Sequence, residues 1–444
     1  MTQLAAPVSF VQIGLMSMGA IDTVMVGRVS AADLAAVAIG NLYFFGMAVF
    51  GMGVLFALDP VISQAVGADD GEGVARGVQR GVILATGLSV VAMALLLPAG
   101  PLLTLARQPA EVIPVADGYA KGLILGVFPF YAFVVLRQSL QAMSRVRPIV
   151  VTVLAANVVN VVLNWILIFG KAGFSPHGAV GSAWGTSLSR WFMLSMLAGV
   201  AWSELRPALR PFRREVLRTG PLLRFLRVGA PIGAQQWLEF GVFGAAGLLM
   251  GLLGTVAIAS HQVALQLAAL TFMIPVGVAQ ATSVVVGQAV GRGDPPAARR
   301  SVGAGILTVT GFMAFTAAMF ILLPTPLARL FSTDASVVVA AAALLPIAGV
   351  FQIFDGLQVA GAGALRGVGD TTVPMLLNLV GFWMIGLPAC AWFAFGLDLG
   401  PRGVWWGLAT GIGAVGTLLM FRIRRRFGRD LRRLVMEEEV GARS

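Results

Sequence analysis

The sequence predicts an all-α integral membrane protein with about twelve transmembrane helices in two pseudo-symmetric six-helix bundles. Three observations carry this. Hydrophobic residues make up 58% of the 444 and charged residues only 11%, against roughly 25% charged in a soluble domain. Apolar stretches recur that are long enough to span, since about 20 residues at 1.5 Å each cross a ~30 Å hydrocarbon core. The first half of the chain also reappears in the second half at a fixed displacement. The 55 glycines agree with helices that approach closely through small residues.

Taken in order, the predicted spans are 4–27, 41–67, 81–105, 119–142, 148–170, 178–202, 226–253, 256–290, 301–323, 336–364, 373–395 and 402–421. Each is bounded by charge or by Gly/Pro punctuation. The longest basic connector follows the sixth. It divides the chain into an N-terminal lobe (1–203), a cytoplasmic linker (204–225), a C-terminal lobe (226–421) and a basic tail (422–444). The first apolar stretch has no basic residue before it, so no cleavable signal segment is expected, and the chain is expected to begin at the edge of its first span.

Loop charge orients the spans. Even-numbered loops and the tail hold 23 Arg, whereas the opposite loops hold six basic residues, Arg28, Arg107, Lys121, Lys171, Arg329 and Arg402. By the positive-inside rule both termini are expected in the cytoplasm, in a bacterial-type inner membrane. The tail from Arg422 is read as a membrane-surface anchor. A net charge of +11 spread over short loops does not suggest nucleic-acid binding. The single cysteine, Cys390, leaves no disulfide frame and no thiolate metal site.

The repeat shows at a shift of 224 residues. Ala6-Pro7 falls on Ala230-Pro231, Gly27 on Gly251, and Ser63-Gln-Ala-Val-Gly67 on Gly287-Gln-Ala-Val-Gly291. Further along the shift becomes 226, where Pro148 meets Pro374 and Gly170 meets Gly396. Six spans being even, the two bundles insert in the same direction. Parallel repeats recur in secondary transporters, with a substrate site between the lobes. No P-loop occurs, so an ion gradient is expected to drive uphill movement.

Three acids interrupt the apolar runs: Asp22, Glu239 and Asp355. An ionised acid at mid-bilayer costs about 2.5–3.5 kcal/mol on insertion scales, so each needs a cavity, a partner or a moving cation. Glu239 aligns with Leu15 and Asp22 with Ala246, so the lobes share a scaffold but not a charge set. In the C-terminal lobe, Glu239 and Asp355 are expected to share a cavity with Gln235, Gln236, Gln262 and Gln266. Such a pair binds either a proton or Na⁺. In the N-terminal lobe, Asp22 faces span five, where Asn157, Asn160 and Asn164 recur at i, i+3 and i+7. Packing glue between helices is the alternative role for Glu239 and Asp355, and partial hydration near its helix end the alternative for Asp22.

His261 is read as a satisfied interfacial histidine rather than a proton relay. Asp59, ahead of Pro60, is read as a solvated or capping acid near the cytoplasmic end. Tyr131 is a candidate for cavity lining. Arg137 and Arg190 are placed near span ends. Pro275 and Gly277 are expected to bend span eight.

At Asp22-Thr-Val-Met-Val-Gly27, Ser63-Gln-Ala-Val-Gly67, His261-Gln-Val-Ala-Leu-Gln266 and Phe272-Met-Ile-Pro-Val-Gly-Val-Ala-Gln280 the chain resembles the multidrug and toxic compound extrusion (MATE) family. Glu239, Asp355 and Gly363-Ala-Leu-Arg-Gly-Val-Gly-Asp370 make it similar to the NorM-like branch. The resemblance covers nearly the whole chain. It implies a V-shaped pair of bundles that exports cationic or amphipathic compounds against inward Na⁺ or H⁺. It also implies a C-lobe cation site at Glu239 and Asp355, and an N-lobe site at Asp22, Asn160, Asn164 and Thr186. Some family members carry an acid where this chain has Asn164.

No tightly bound cofactor is expected. Expected partners are small-molecule drugs and membrane lipids, with the protein a monomer. A flippase for lipid-linked precursors on a related scaffold is the nearest rival, but it would favour a basic cavity, and the intramembrane charges here are mainly acidic. An embedded enzyme is disfavoured because the chain has no His-Glu-x-x-His and no Gly-x-Ser-x-Gly.

Overall fold

In hydrocarbon every backbone N–H and C=O must be satisfied within its own segment, so long apolar runs become helices. The computed structural model describes residues 2–436, which contain helices and loops but no strand. The first half comprises α1 (Thr2–Val26), α2 (Ala31–Leu55), α3 (Leu58–Gly67), α4 (Gly71–Leu96), α5 (Ala99–Leu105), α6 (Ile113–Ile124), α7 (Val127–Ala142), α8 (Arg147–Phe169), α9 (Gly178–Val200) and α10 (Trp202–Leu209). The second comprises α11 (Thr219–Leu252), α12 (Thr255–Gly291), α13 (Pro295–Leu322), α14 (Pro324–Arg329), α15 (Ala335–Gly367), α16 (Thr372–Asn378), α17 (Leu387–Ala391) and α18 (Gly400–Phe427). π-helical turns at Leu379–Gly386 and Trp392–Gly396 flank α17.

Among the described residues nine segments are long and apolar enough to cross a membrane, or ten if α6 and α7, bent by 48°, form one. Two more helices, α9 and α11, have spanning length, at 23 and 34 residues. Their hydropathy is lowered by Thr186 and Arg190 in one and by Gln235, Gln236 and Glu239 in the other. Ten plus these two give the twelve spans the sequence predicts, in the predicted order.

The repeat holds at the level of element bounds. Ala31–Gly67 and Thr255–Gly291 are each 37 residues long and start 224 residues apart. The next helices, α4 and α13, start at Gly71 and Pro295, the same 224 apart. Each is capped by an aspartate: Asp70 accepts from Gly73 N–H at 2.7 Å and Asp294 from Ala297 N–H at 2.9 Å. Such a side chain satisfies one of the donors a helix start leaves open.

The chain forms two units. One contains Phe10–Gly233 and the chain from Val435; the other contains the chain up to Ser9 and Ala234–Leu434. The division therefore falls inside α1 and inside α11. The start of α11 belongs with the N-terminal unit because Phe225 and Ile232 sit in that unit's apolar core with Phe44, Leu55 and Leu58. The start of α1 belongs with the C-terminal unit, where the Ser9 hydroxyl donates to the Ile274 carbonyl at 3.1 Å. The C-terminal unit has its own core, built around Trp405, Phe351 and Phe382.

Candidate functional site: two buried carboxylate centres

In the N-terminal unit Asp22 lies one turn from the end of α1 and is buried. Its Oδ2 accepts from the Thr186 hydroxyl of α9 at 2.8 Å, and its Oδ1 accepts from the Asn164 amide of α8. The same amide reaches Asn160 Oδ1 at 3.3 Å. Asn160 and Asn164 are i and i+4, so one face of α8 presents both. All four residues that the resemblance implies for this lobe thus meet in one place. Asn164 Oδ1 and Asn160 Nδ2 are buried without a hydrogen-bond partner among the described residues. Gly185 makes room for that oxygen, since a Cβ there would come within 2.5 Å of it. A carboxylate, a hydroxyl and an open amide oxygen suit a small hard cation, and a carboxylate alone can take a proton.

Asn157 does not join this centre. Seven residues separate it from Asn164, about 10.5 Å along the helix. Its amide instead donates to the carbonyls of Gly14 (3.0 Å) and Val153 (2.8 Å), tying α8 to α1. Tyr131 does not line a cavity either: it is buried in the core and its hydroxyl donates to the Ala48 carbonyl at 2.8 Å. Asp59 is fully buried rather than solvated or capping. Its Oδ1 accepts from Gln138 at 2.9 Å, and it feels the positive charge of Arg137, which donates to Gln12 Oε1 at 2.8 Å.

Arg190 is the residue that sequence reasoning misplaced. It lies at mid-length in α9, one turn beyond Thr186, and is buried. Its guanidinium stacks over Phe44 (4.5 Å) and Phe130 (5.0 Å), which offer attractive ring faces to a cation. Its charge acts on Asp22 and on Tyr119, whose hydroxyl donates to Asn41 at 3.0 Å. Nη1 has no hydrogen-bond partner among the described residues. The spacing Thr186–Arg190 was a readable signal for this placement.

In the C-terminal unit Glu239 of α11 is half-buried, and Asp355 of α15 is buried. The charge of Glu239 acts on Asp355. Gln358, on the turn after Asp355, hydrogen-bonds to Glu239, and Arg366 adds a more distant positive charge. Gln358 Oε1 is buried without a partner among the described residues. Two carboxylates and an open amide oxygen again suit a proton or a small hard cation. On the turn before Asp355, Gln352 fixes the helix by donating to Thr271 at 2.6 Å and accepting from Thr316 at 2.7 Å.

The remaining C-terminal candidates fall elsewhere. Gln235 is buried and Gln236 half-buried, and neither hydrogen-bonds to Glu239 or Asp355 among the described residues. Gln262 and Gln266 do share a face of α12, an exposed one, and neither hydrogen-bonds to Glu239 or Asp355 among the described residues. His261, the neighbour of Gln262, lies between α12 and α18 but is not satisfied. It is buried edge-on against Trp405, 5.7 Å between ring centres, and both ring nitrogens lack partners among the described residues.

A residue not anticipated is Trp383, in the π-helical turn Leu379–Gly386. Its indole N–H donates at 3.0 Å to the carbonyl of Leu238, the neighbour of Glu239. The ring lies against Gly241, where a Cβ would come within 2.9 Å. The glycine and the tryptophan together seat the α11 segment that carries the acid. No group of three or more His, Cys, Asp or Glu close enough to hold a metal ion occurs among the described residues.

Twelve helical segments of spanning length among the described residues, with an acid held among amides inside each unit, define a multi-pass membrane transporter. A family profile described as MatE matches residues 7–166 and 231–392. The chain belongs to the MatE family, the multidrug and toxic compound extrusion transporters. It is 36% identical to "Multidrug resistance protein PmpM" of Pseudomonas aeruginosa over 99% of this chain and 94% of that one. It is 39% identical to "Probable multidrug resistance protein NorM" of Rhodopseudomonas palustris over 95% and 90%. Among solved structures, the eukaryotic MATE transporter AtDTX14 superposes with a TM-score of 0.88 at 24% identity, covering 95% of this chain and 94% of that one.

Proposed function

We propose that this protein exports cationic or amphipathic compounds from the cytoplasm by antiport with Na⁺ or H⁺, through alternating access. The observation that carries the reading is a pair of separate carboxylate centres within apolar bundles, each with a buried acceptor oxygen left open. Relatives bearing the name multidrug resistance protein support the cargo. The protein works in the inner membrane as a monomer with both termini cytoplasmic, has no enzymatic activity and needs no tightly bound cofactor.

In the cycle, an outward-facing protein takes up the coupling cation, which neutralises the acids and loosens their hold on a cationic drug. Facing inward, the cation leaves and the bare carboxylates attract new cargo. One charge moving inward across 100 mV supplies about 2.3 kcal/mol. That sustains roughly a 50-fold gradient of an uncharged substrate.

The test is uptake of a fluorescent cationic dye into inverted vesicles, with Na⁺ and pH gradients imposed separately from the lumen outwards. Uptake driven by either gradient, and lost in Glu239→Gln and Asp355→Asn proteins that still fold, is the expected result. Wild-type uptake in both variants removes the C-terminal centre from the coupling. No uptake by folded wild-type protein under either gradient removes drug export.

A further inference from the structure

We infer that the groove beneath α10, where span six passes into the connector, binds an anionic phospholipid of the cytoplasmic leaflet. The leaflet rests on the orientation proposed above; the ligand chemistry does not. α10 is a short amphipathic helix. It buries Leu205 and Ala208 and turns Trp202 and Arg206 outward, with Arg210 exposed just past its end. A groove of about 1180 Å³ opens there, lined by Trp202, Arg206, Pro207, Arg210, Pro211 and Phe212 among others.

The floor of this groove is fixed. Gln79 of α4, itself buried, donates to the Ala208 carbonyl at 2.9 Å and to the Pro211 carbonyl at 3.0 Å. Its Oε1 accepts from Arg213 N–H at 3.0 Å, so one amide side chain pins both sides of the turn. Buried amides satisfied in this way make a connector rigid.

The charges are then unequally allotted. Arg213 pairs with Glu72 at 2.9 Å. The nearby acid Glu204 accepts from Ser203 and feels Arg145. Arg206 and Arg210, one helical turn apart, have no carboxylate within 4 Å among the described residues. Arg210 instead stacks over Trp202 at 5.7 Å.

Two uncompensated guanidinium forks suit one phosphodiester. Trp202 is 41% exposed and Phe212 58%, and aromatic side chains at that depth sit at headgroup level, where they cover acyl chain. A cationic drug would be repelled here. Free phosphate would meet the arginines but bury neither ring.

The test is native mass spectrometry of the detergent-purified full chain with added phosphatidylglycerol or phosphatidylcholine. Wild-type protein should retain phosphatidylglycerol about tenfold better, as two arginines near a charged surface permit. Arg206→Gln/Arg210→Gln should lose that preference, and Arg206→Lys/Arg210→Lys should keep most of it. Phe212→Ser, which leaves both charges, should weaken retention of phosphatidylglycerol severalfold. Equal retention of the two lipids by wild type, or an unchanged preference in the glutamine variant, would overturn the inference. So would displacement of the lipid by an equal concentration of inorganic phosphate. None of these readings requires transport, so failure of drug export and failure of this site are told apart.

Discussion

Asp22 and Arg190 illustrate how one buried charge sets what another can do. Asp22 is already satisfied by Thr186 and Asn164 and lies in the field of a fixed guanidinium. A cation that binds there enters against that field. At an effective dielectric of about 20, two charges some 10 Å apart interact by roughly 1.7 kcal/mol, more than a tenfold effect on an equilibrium. Arg190→Met therefore should lower the cation concentration that half-saturates binding at the Asp22 centre of the purified protein by up to about tenfold, and Arg190→Lys should not. An unchanged half-saturation in a folded Arg190→Met protein removes Arg190 from the site's electrostatics. The acids and Asn160/Asn164 were legible because polar residues in an apolar run at helical spacing have few explanations. The depth of Arg190 was readable from its spacing to Thr186, but its partners Phe44 and Phe130, and the Ala48 carbonyl that Tyr131 meets, come from other helices. Nothing in the local pattern reports such partners.

At the scale of elements, span eleven differs from every other span among the described residues by its two π-helical turns. The wider turn rotates side chains relative to a regular helix, and such turns often mark functional positions. Here the first of them sets Trp383 against Leu238 and Gly241, on either side of Glu239. Trp383→Phe keeps most of the apolar contact and removes one hydrogen bond, a loss of about 0.5–1.5 kcal/mol. The expected outcome is a small drop in melting temperature and a larger, severalfold fall in the rate of coupled dye uptake. A fall in stability with uptake unchanged would make Trp383 a packing residue only. No sequence pattern announces a π-turn, since Leu379–Gly386 reads as any other apolar stretch. The bent pair α6/α7 was equally silent, whereas the span order follows from residue types alone.

For the whole molecule, the two bundles repeat with the same bounds in the second span and the same start in the third, while the charges were not kept. The N-terminal unit sets one acid beside one buried arginine. The C-terminal unit sets two acids against the more distant field of Arg366. Two like charges in one pocket bind a proton or metal cation more readily than one acid already balanced by a guanidinium. The driving ion should therefore work mainly through Glu239 and Asp355, with Asp22 tuning the cycle. In the same inverted vesicles Glu239→Gln should lose gradient-driven dye uptake altogether, while Asp22→Asn keeps a measurable fraction, about a tenth or more. Because Asp22→Asn leaves Arg190 with an uncompensated charge, the Asp22→Asn/Arg190→Met double variant should recover part of that loss. The reverse order, with uptake abolished in Asp22→Asn and retained in Glu239→Gln, would move the coupling to the N-terminal unit and make Arg190 the group its cation displaces.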